Sequence, residues 1–295
     1  MSLQLPQKIK DYIEISKPGI LTLVVMTTAL GFFLADKSLS RFALFLTTLL
    51  GSTLCAAGAG ALNHYLEREI DCKMERTKNR PLPSGRMSAQ EVLFFGIVCT
   101  IAGSTLLAWK VNHLSGFLAL MTTFLYALVY TPLKRITWLN TAIGAIPGAL
   151  PAMGGWAAST GNLSIESWIL FLIMFTWQHP HFFAIAWLLK DDYEKGGFKM
   201  LPVIDPEGKR TFNQIRMFSV CLLFTSILLT FIGTTGVIYS IGAVLLGTTM
   251  IGLSEKSSDT RDRVDVKRVF TFSILYLPML FVFIAADVAF SIALG

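Results

Sequence analysis

Asn63, Glu67 and Asp71 follow one another at intervals of four residues. On an α-helix that spacing lines an amide and two carboxylates along one face, each about 6 Å above the last. Oxygens so arranged suit Mg²⁺, a hard cation that takes a few carboxylates and fills its other positions with water and the phosphate oxygens of a substrate. Just beyond lie Lys73, Arg76, Lys78 and Arg80, four cations able to hold a diphosphate directly. Taken singly, each of these residues is what any solvated helix end carries. The register of the stripe and the cation cluster behind it together point to metal-assisted diphosphate chemistry.

A second polar segment runs from Trp177 to Pro202. Read as one helix, the eleven residues from His181 to Asp192 make almost three turns, which predicts both on one face about 16 Å apart. His181 then lies at membrane depth, where an ionisable side chain is a functional candidate by default. A neutral imidazole bonded to a neighbouring helix is an equal alternative. His179 falls on another face unless Pro180 kinks the helix, and it reads as structural. The two segments echo each other, with acidic residues, then basic ones, then Leu82-Pro83 or Leu201-Pro202. That pattern is a faint trace of a four-helix duplication.

The elements that must carry these groups are membrane spans. Of 295 residues 53% are hydrophobic and only 15% charged, too little charge to cover a soluble domain. Apolar blocks such as 20–35, 42–62 and 270–294 approach the ~20 residues of one crossing helix. Nine spans are expected, centred near residues 27, 52, 99, 121, 147, 175, 221, 243 and 280. Alternating sides then put all but Lys37, Arg41 and Lys110 of the 25 Lys and Arg on one side. Basic residues stay in the cytoplasm, so the N-terminus is read as inside and the C-terminus as outside. The net charge of +6 reflects this topology and anionic ligands; no nucleic-acid motif accompanies it, and no nucleic-acid partner is expected. Segment 1–17 lacks a signal-peptide pattern and reads as a retained cytoplasmic terminus. Residues 1–295 are expected to form one membrane domain, with cytoplasmic active-site loops at 63–86 and 190–210. Cys55, Cys72, Cys99 and Cys221 form no C-x-x-C pair. Three of them lie in apolar spans as small hydrophobes, Cys72 faces the reducing side, and no cysteine metal site is indicated.

The stripe, followed by Glu75-Arg-Thr-Lys-Asn-Arg-Pro-Leu82, resembles the UbiA superfamily of intramembrane prenyltransferases. A closer resemblance, over nearly the whole chain, is to its haem O synthase branch. It is carried by Lys17-Pro18, the 75–82 segment, Tyr130-Thr-Pro-Leu-Lys134-Arg135, Gly144-Ala-Ile-Pro147-Gly-Ala-Leu-Pro151 and Gly155-Trp156. Trp177-Gln-His-Pro-His-Phe182 and Asp192-Tyr193 through Met200-Leu-Pro202 complete the series. Aromatic prenyltransferases of the superfamily carry a second Asp-x-x-x-Asp after span six. Here the residues four beyond Asp191 and Asp192 are Lys195 and Gly196. That departure favours haem over a quinone precursor and leaves open whether one or two Mg²⁺ ions bind.

The resemblance implies an all-α polytopic bundle of about nine transmembrane helices in the cell inner membrane. It implies farnesyl diphosphate and haem B as substrates, Mg²⁺ as cofactor, and a haem A synthase or a second copy as further partner beside membrane lipid. Asn63, Glu67 and Asp71 would hold Mg²⁺, with Asp192 a further candidate; Lys73, Arg76, Arg80 and Lys190 would bind diphosphate. Asn63, Glu67, Asp71, Lys190 and Asp192 would together serve ionisation. Diphosphate leaves well only when its growing charge is neutralised, which a Lewis acid and fixed cations achieve. The allylic cation must be kept from bulk water until a haem vinyl group attacks it. Water then captures the cation left beside the porphyrin. His181, Lys134 and Arg135 are the haem candidates, the two cations for propionates, although positive-inside topology is their stronger explanation. Gly144, Gly148, Gly154 and Gly155 would let a flat ligand or a helix approach closely. A nine-span transporter is the rival from another class, since it too carries polar residues at depth and Pro-broken helices. It would place them at the midplane, whereas these stripes sit at span ends beside cations.

Overall fold

Hydrocarbon offers backbone N–H and C=O groups no partner, so apolar runs of crossing length are forced into helices. The computed structural model, which describes residues 6–294, is helical throughout. Its elements are α1 (Gln7–Ile15), α2 (Pro18–Ala35), α3 (Phe42–Asp71), α4 (Ala89–Lys110) and α5 (His113–Phe124). A π-helical stretch (Leu125–Tyr130) carries α5 into α6 (Thr131–Leu133), and α7 (Asn140–Thr160) and α8 (Ile165–Leu188) follow. Then come α9 (Lys190–Lys195), α10 (Leu201–Ile204), α11 (Lys209–Phe231), α12 (Val237–Thr260) and α13 (Arg263–Leu294). Of the N-terminal segment expected at 1–17, residues 1–5 lie outside the described residues.

Among the described residues eight helices are long and apolar enough to cross a membrane, the composite 113–133 counting as one. The ninth expected crossing is α7, 21 residues long with Pro147 and Pro151 inside it. Much of it faces protein. Ala149 to Ser159 are buried apart from Gly154.

Helices in lipid gain little from apolar burial against each other and associate through small residues. At the α2–α7 contact a Cβ on Gly31 would fall 2.0 Å from Ala152 O, and one on Gly155 2.0 Å from Thr28 O. At the α3–α4 contact a Cβ on Gly103 would fall 2.6 Å from Gly51 O. Larger side chains take over further along the chain. Trp177, Phe212, Tyr239 and Tyr276 are buried in one cluster joining α8, α11, α12 and α13.

The loops sort to two ends, as alternating spans require. At one end Lys37 Nζ donates to Thr234 O at 2.8 Å, Arg41 Nη2 to Ser159 Oγ at 2.8 Å, and Asn112 Nδ2 to Ala157 O at 2.9 Å. At the other end Arg86 ties α1 to the loop after α3, through Asp11 at 2.5 Å and Glu14 at 2.8 Å. There too the Lys199 N–H donates to Lys134 O at 2.7 Å.

One expectation fails. α8 stops at Leu188, Leu189 turns away at φ −112° and ψ 21°, and α9 starts afresh at Lys190. His181 and Asp192 therefore do not share a face of one helix. Asp191 and Asp192 fall in the first turn of α9, where carboxylates complement the positive end of a new helix dipole. Pro180 sits inside an unbroken α8 and does not bring His179 and His181 together.

Candidate active site

α3 runs 30 residues without interruption, so its apolar half anchors its polar end rigidly. Asn63, Glu67 and Asp71 come out on one face and are 0%, 4% and 0% exposed. Buried carboxylates need counter-charge, and each member of the stripe meets a cation from a different segment. Lys17 Nζ donates to Asn63 Oδ1, Lys134 pairs with Glu67, and Arg80 Nη1 reaches both Asp71 oxygens at 2.9 and 2.8 Å. Asn63 Nδ2 donates to Thr131 Oγ1 at 2.8 Å, and that hydroxyl donates to Tyr126 O at 2.8 Å. Thr131 gains this acceptor from the π-helical stretch, in which the Tyr126 carbonyl faces the residue five positions on.

Lys17 occupies the left-handed region at φ 53°, a conformation that non-glycine residues adopt where surrounding contacts enforce it. It joins α1 to α2 and also approaches the Tyr126 hydroxyl at 3.5 Å. Burial pulls its pKa down to about 7, against the opposing pull of Glu67. For Lys134 burial alone would act the same way, but the Glu67 carboxylate outweighs it and holds the ammonium above its usual value.

These side chains edge an opening lined by Lys17, His64, Glu67, Asp71, Arg76, Arg80 and Lys134. Behind it a second cavity runs between α2, α3, α5, α7 and α8 with mostly apolar walls. Lys17, Ile20, Tyr126, Tyr130 and Met200 border both, so mouth and body adjoin. A cationic mouth with two carboxylates suits a diphosphate and a divalent ion; an apolar body suits a long hydrocarbon chain.

The donor set fits Mg²⁺ in part. Glu67 and Asp71 line the mouth and are hard oxygen donors. Asn63 lies off the cavity wall with partners at both ends of its amide, so it joins only if Lys17 releases its oxygen. Among the described residues no three His, Cys, Asp or Glu converge as a complete metal cluster. Substrate oxygens and water would have to supply the remaining positions.

The other sequence candidates scatter. Arg76 and Arg80 reach the mouth, whereas Lys73 is exposed and Lys78 pairs with Glu75 at 2.5 Å. Asp192 Oδ1 accepts the Glu75 N–H at 3.0 Å, stitching the two polar loops together. Lys190 lies over the Trp187 ring at 5.6 Å. Neither of these borders the mouth, although Tyr193 and Phe198 of the same loop do. Arg135 is exposed.

On α8, His181 Nδ1 is bonded to Ser273 Oγ at 2.8 Å and its ring stacks on Trp177 at 4.9 Å, towards α13 and away from both cavities. His179 stacks on Phe218 of α11 at 3.6 Å, its Nδ1 2.7 Å from Phe175 O. The residues of α8 on the cavity wall are Gln178 and Phe182. Gly144 accommodates Tyr130, Gly148 accommodates Gln178, and Gly154 opens on the cavity.

Sequence reasoning overlooked Lys17, His64, Tyr126 and Tyr130 at the mouth. The signal was present in part. Lys17 opens a span immediately before Pro18, and Tyr126 and Tyr130 repeat the four-residue interval of the stripe.

Residues 24–284 match the UbiA prenyltransferase family. A protoheme IX farnesyltransferase of Solibacter usitatus is 42% identical over 281 residues, covering 92% of this chain and 96% of its own. That of Salinibacter ruber is 40% identical over 277 residues, covering 94% and 98%. Among solved structures, one described as digeranylgeranylglyceryl phosphate synthase superposes with a TM-score of 0.80 at 17% identity, covering 96% and 99%. A UbiA homologue from Archaeoglobus fulgidus bound to GPP and Mg²⁺ superposes at 0.63 and 16% identity, covering 93% and 99%. At such identities the structures share a fold with this chain.

Proposed function

The chain belongs to the UbiA prenyltransferase family, and from that premise we propose that it farnesylates haem B. The farnesyl group of farnesyl diphosphate joins a haem vinyl group, water adds, and haem O and diphosphate are released. The observation that carries this reading is identity of about 40% along more than nine-tenths of the chain with relatives named protoheme IX farnesyltransferase.

The mouth takes the diphosphate. Arg76, Arg80 and Lys134 surround it with fixed positive charge, placed where negative charge grows as the C1–O bond breaks, and Lys17 borders the same mouth. Mg²⁺, when bound, supplies Lewis-acid neutralisation of the leaving group; Glu67 and Asp71 would hold it, with Asn63 drawn in if Lys17 moves. The apolar body receives the farnesyl chain and keeps bulk water from the allylic cation. Arg135, exposed at the same end of the bundle, is the cation left free for a haem propionate once Lys134 is committed to Glu67. His181, held by Ser273, is assigned to the α8–α13 contact rather than to haem. The bundle is placed in the inner membrane with the mouth and N-terminus cytoplasmic and the C-terminus outside, in keeping with the basic residues at the mouth end.

The test is pigment extraction. Membranes expressing the protein should contain a haem heavier than haem B by one farnesyl group and one water, dependent on farnesyl diphosphate and Mg²⁺. A farnesylated quinone precursor in its place would overturn the assignment to haem.

A further inference from the structure

We propose that Gln178 positions the water that ends the reaction, an inference that rests on the haem-farnesylating reading above. Gln178 is 3% exposed and lies on the wall of the apolar cavity. Its Nε2 donates to Ala145 O at 3.1 Å and to Met174 O at 3.0 Å. Both amide hydrogens are thereby used, and the side chain cannot flip without setting its oxygen against two carbonyl oxygens. Oε1 is left as the fixed end. It rests so close to Gly148 that a Cβ there would fall 1.9 Å from it. Among the described residues nothing donates to this oxygen. An amide oxygen that opens on an apolar cavity without a protein donor is a ready acceptor for a ligand or a water.

Its place is suited to that water. Gly148 lies one helical turn, about 6 Å, beyond Gly144 on α7. Gly144 packs against Tyr130, which borders both the mouth and the body. Gln178 Oε1 therefore sits where the head of a prenyl chain leaves the diphosphate site and the new carbon–carbon bond must form. The same wall offers a second acceptor, because Pro151 has no N–H to donate to the carbonyl of Pro147, which lines the cavity. Two oxygen acceptors in an otherwise apolar cavity hold a water by its hydrogens and turn its lone pair outward.

The step balances without any added reagent. The vinyl π pair forms the bond to farnesyl C1 as the C1–O pair departs with diphosphate, leaving an electron-deficient carbon beside the porphyrin. The water on Gln178 Oε1 donates its lone pair to that carbon, forming the C–O bond. One water proton is released to the diphosphate at the mouth. Gln178 orients the water and does not itself take the proton. Without an oriented water the same cation ends by losing a neighbouring proton, giving a farnesylated haem lighter than haem O by one water.

The experiment compares wild type, Gln178→Met and Gly148→Ala in membranes supplied with haem B, farnesyl diphosphate and Mg²⁺. Products are separated and weighed by mass spectrometry. Gln178→Met removes the acceptor at nearly constant volume, and Gly148→Ala displaces Oε1 while leaving the amide intact. Both should raise the ratio of dehydrated to hydrated product by about tenfold, the effect of one hydrogen bond on a partition between two exits. Farnesyl diphosphate consumption should change less than that ratio. If both variants yield haem O alone, at any rate, the water assignment is overturned. If Gln178→Met does not fold, an unchanged product ratio in Gly148→Ala overturns it equally. Failure of wild type to farnesylate haem would sink the parent reading instead, which keeps the two outcomes distinct.

Discussion

The loops that follow α3 and α8 carry the same chemical vocabulary and meet different fates. After α3 the carboxylates remain part of the helix, because α3 continues to Asp71 before the chain turns. Their four-residue interval is thus kept in space, and Glu67 and Asp71 arrive on the cavity wall. After α8 the helix stops one residue before the charges begin, and Lys190, Asp191 and Asp192 open a new helix on another axis. That loop sends aromatic and apolar groups to the mouth, through Tyr193, Phe198 and Met200, while Asp192 fastens the first loop by its backbone. A charged motif inherits a defined position only while the element that carries it continues.

The steepest prediction from this contrast concerns Asp71. Asp71→Asn removes a buried charge from the mouth and frees Arg80, so transition-state neutralisation is lost, on the order of a hundredfold or more in turnover. Farnesyl transfer in detergent at saturating Mg²⁺ measures this, with melting temperature as the folding control. Near-normal turnover would refute the assignment of the stripe. Glu69, off the stripe with its side chain 84% exposed, is the comparison, and Glu69→Gln should stay within about twofold.

Next in size is Lys134→Met. The Lys134–Glu67 pair is largely shielded, with side chains 11% and 6% exposed, so removing one partner leaves an uncompensated buried charge. The variant should lose stability and about tenfold or more in activity. Adding Glu67→Gln should recover the melting temperature while activity stays low. Recovery of both would make the pair a packing device and nothing more.

The sequence exposed what helical periodicity controls: the crossings and the register of Asn63, Glu67 and Asp71. It concealed what depends on helix ends and on contacts between distant segments. The break at Leu189 is set by where a new dipole can start, and no apolar period announces it. Lys17 is brought to Asn63 by the docking of α1 through Arg86 on Asp11 and Glu14, a contact that spacing cannot reveal. Lys134 read as a topology residue because its partner, Glu67, lies on another helix.

Asp192→Asn should be milder than either change above. The amide keeps an oxygen for the Glu75 N–H, so the loops stay tied and only a charge-assisted hydrogen bond weakens. An increase of about threefold in the KM for farnesyl diphosphate, with kcat nearly unchanged, is expected from a loss near 0.7 kcal/mol. A fall in kcat comparable with that of Asp71→Asn would place Asp192 among the metal ligands and make the two loops alike after all.

Lys190 gives the finest test, and the smallest expected effect. As a lysine beside two aspartates near the second polar loop, it is a natural diphosphate partner on sequence grounds. In the structure its ammonium lies over the Trp187 ring, 5.6 Å from the centroid, and it does not border the mouth. A half-exposed cation over an indole contributes about 0.5–1 kcal/mol to local order. Lys190→Met keeps the aliphatic stem over Trp187 and removes only the charge. KM for farnesyl diphosphate and kcat should therefore stay within about twofold of wild type. Isothermal titration with inorganic diphosphate and Mg²⁺ gives an independent reading, since a residue outside the mouth leaves that affinity unchanged. A tenfold weakening of diphosphate, with melting temperature intact, would mean that α9 swings its charge onto the substrate. The two loops would then differ in timing rather than in role, one charged wall standing ready and the other arriving with the ligand.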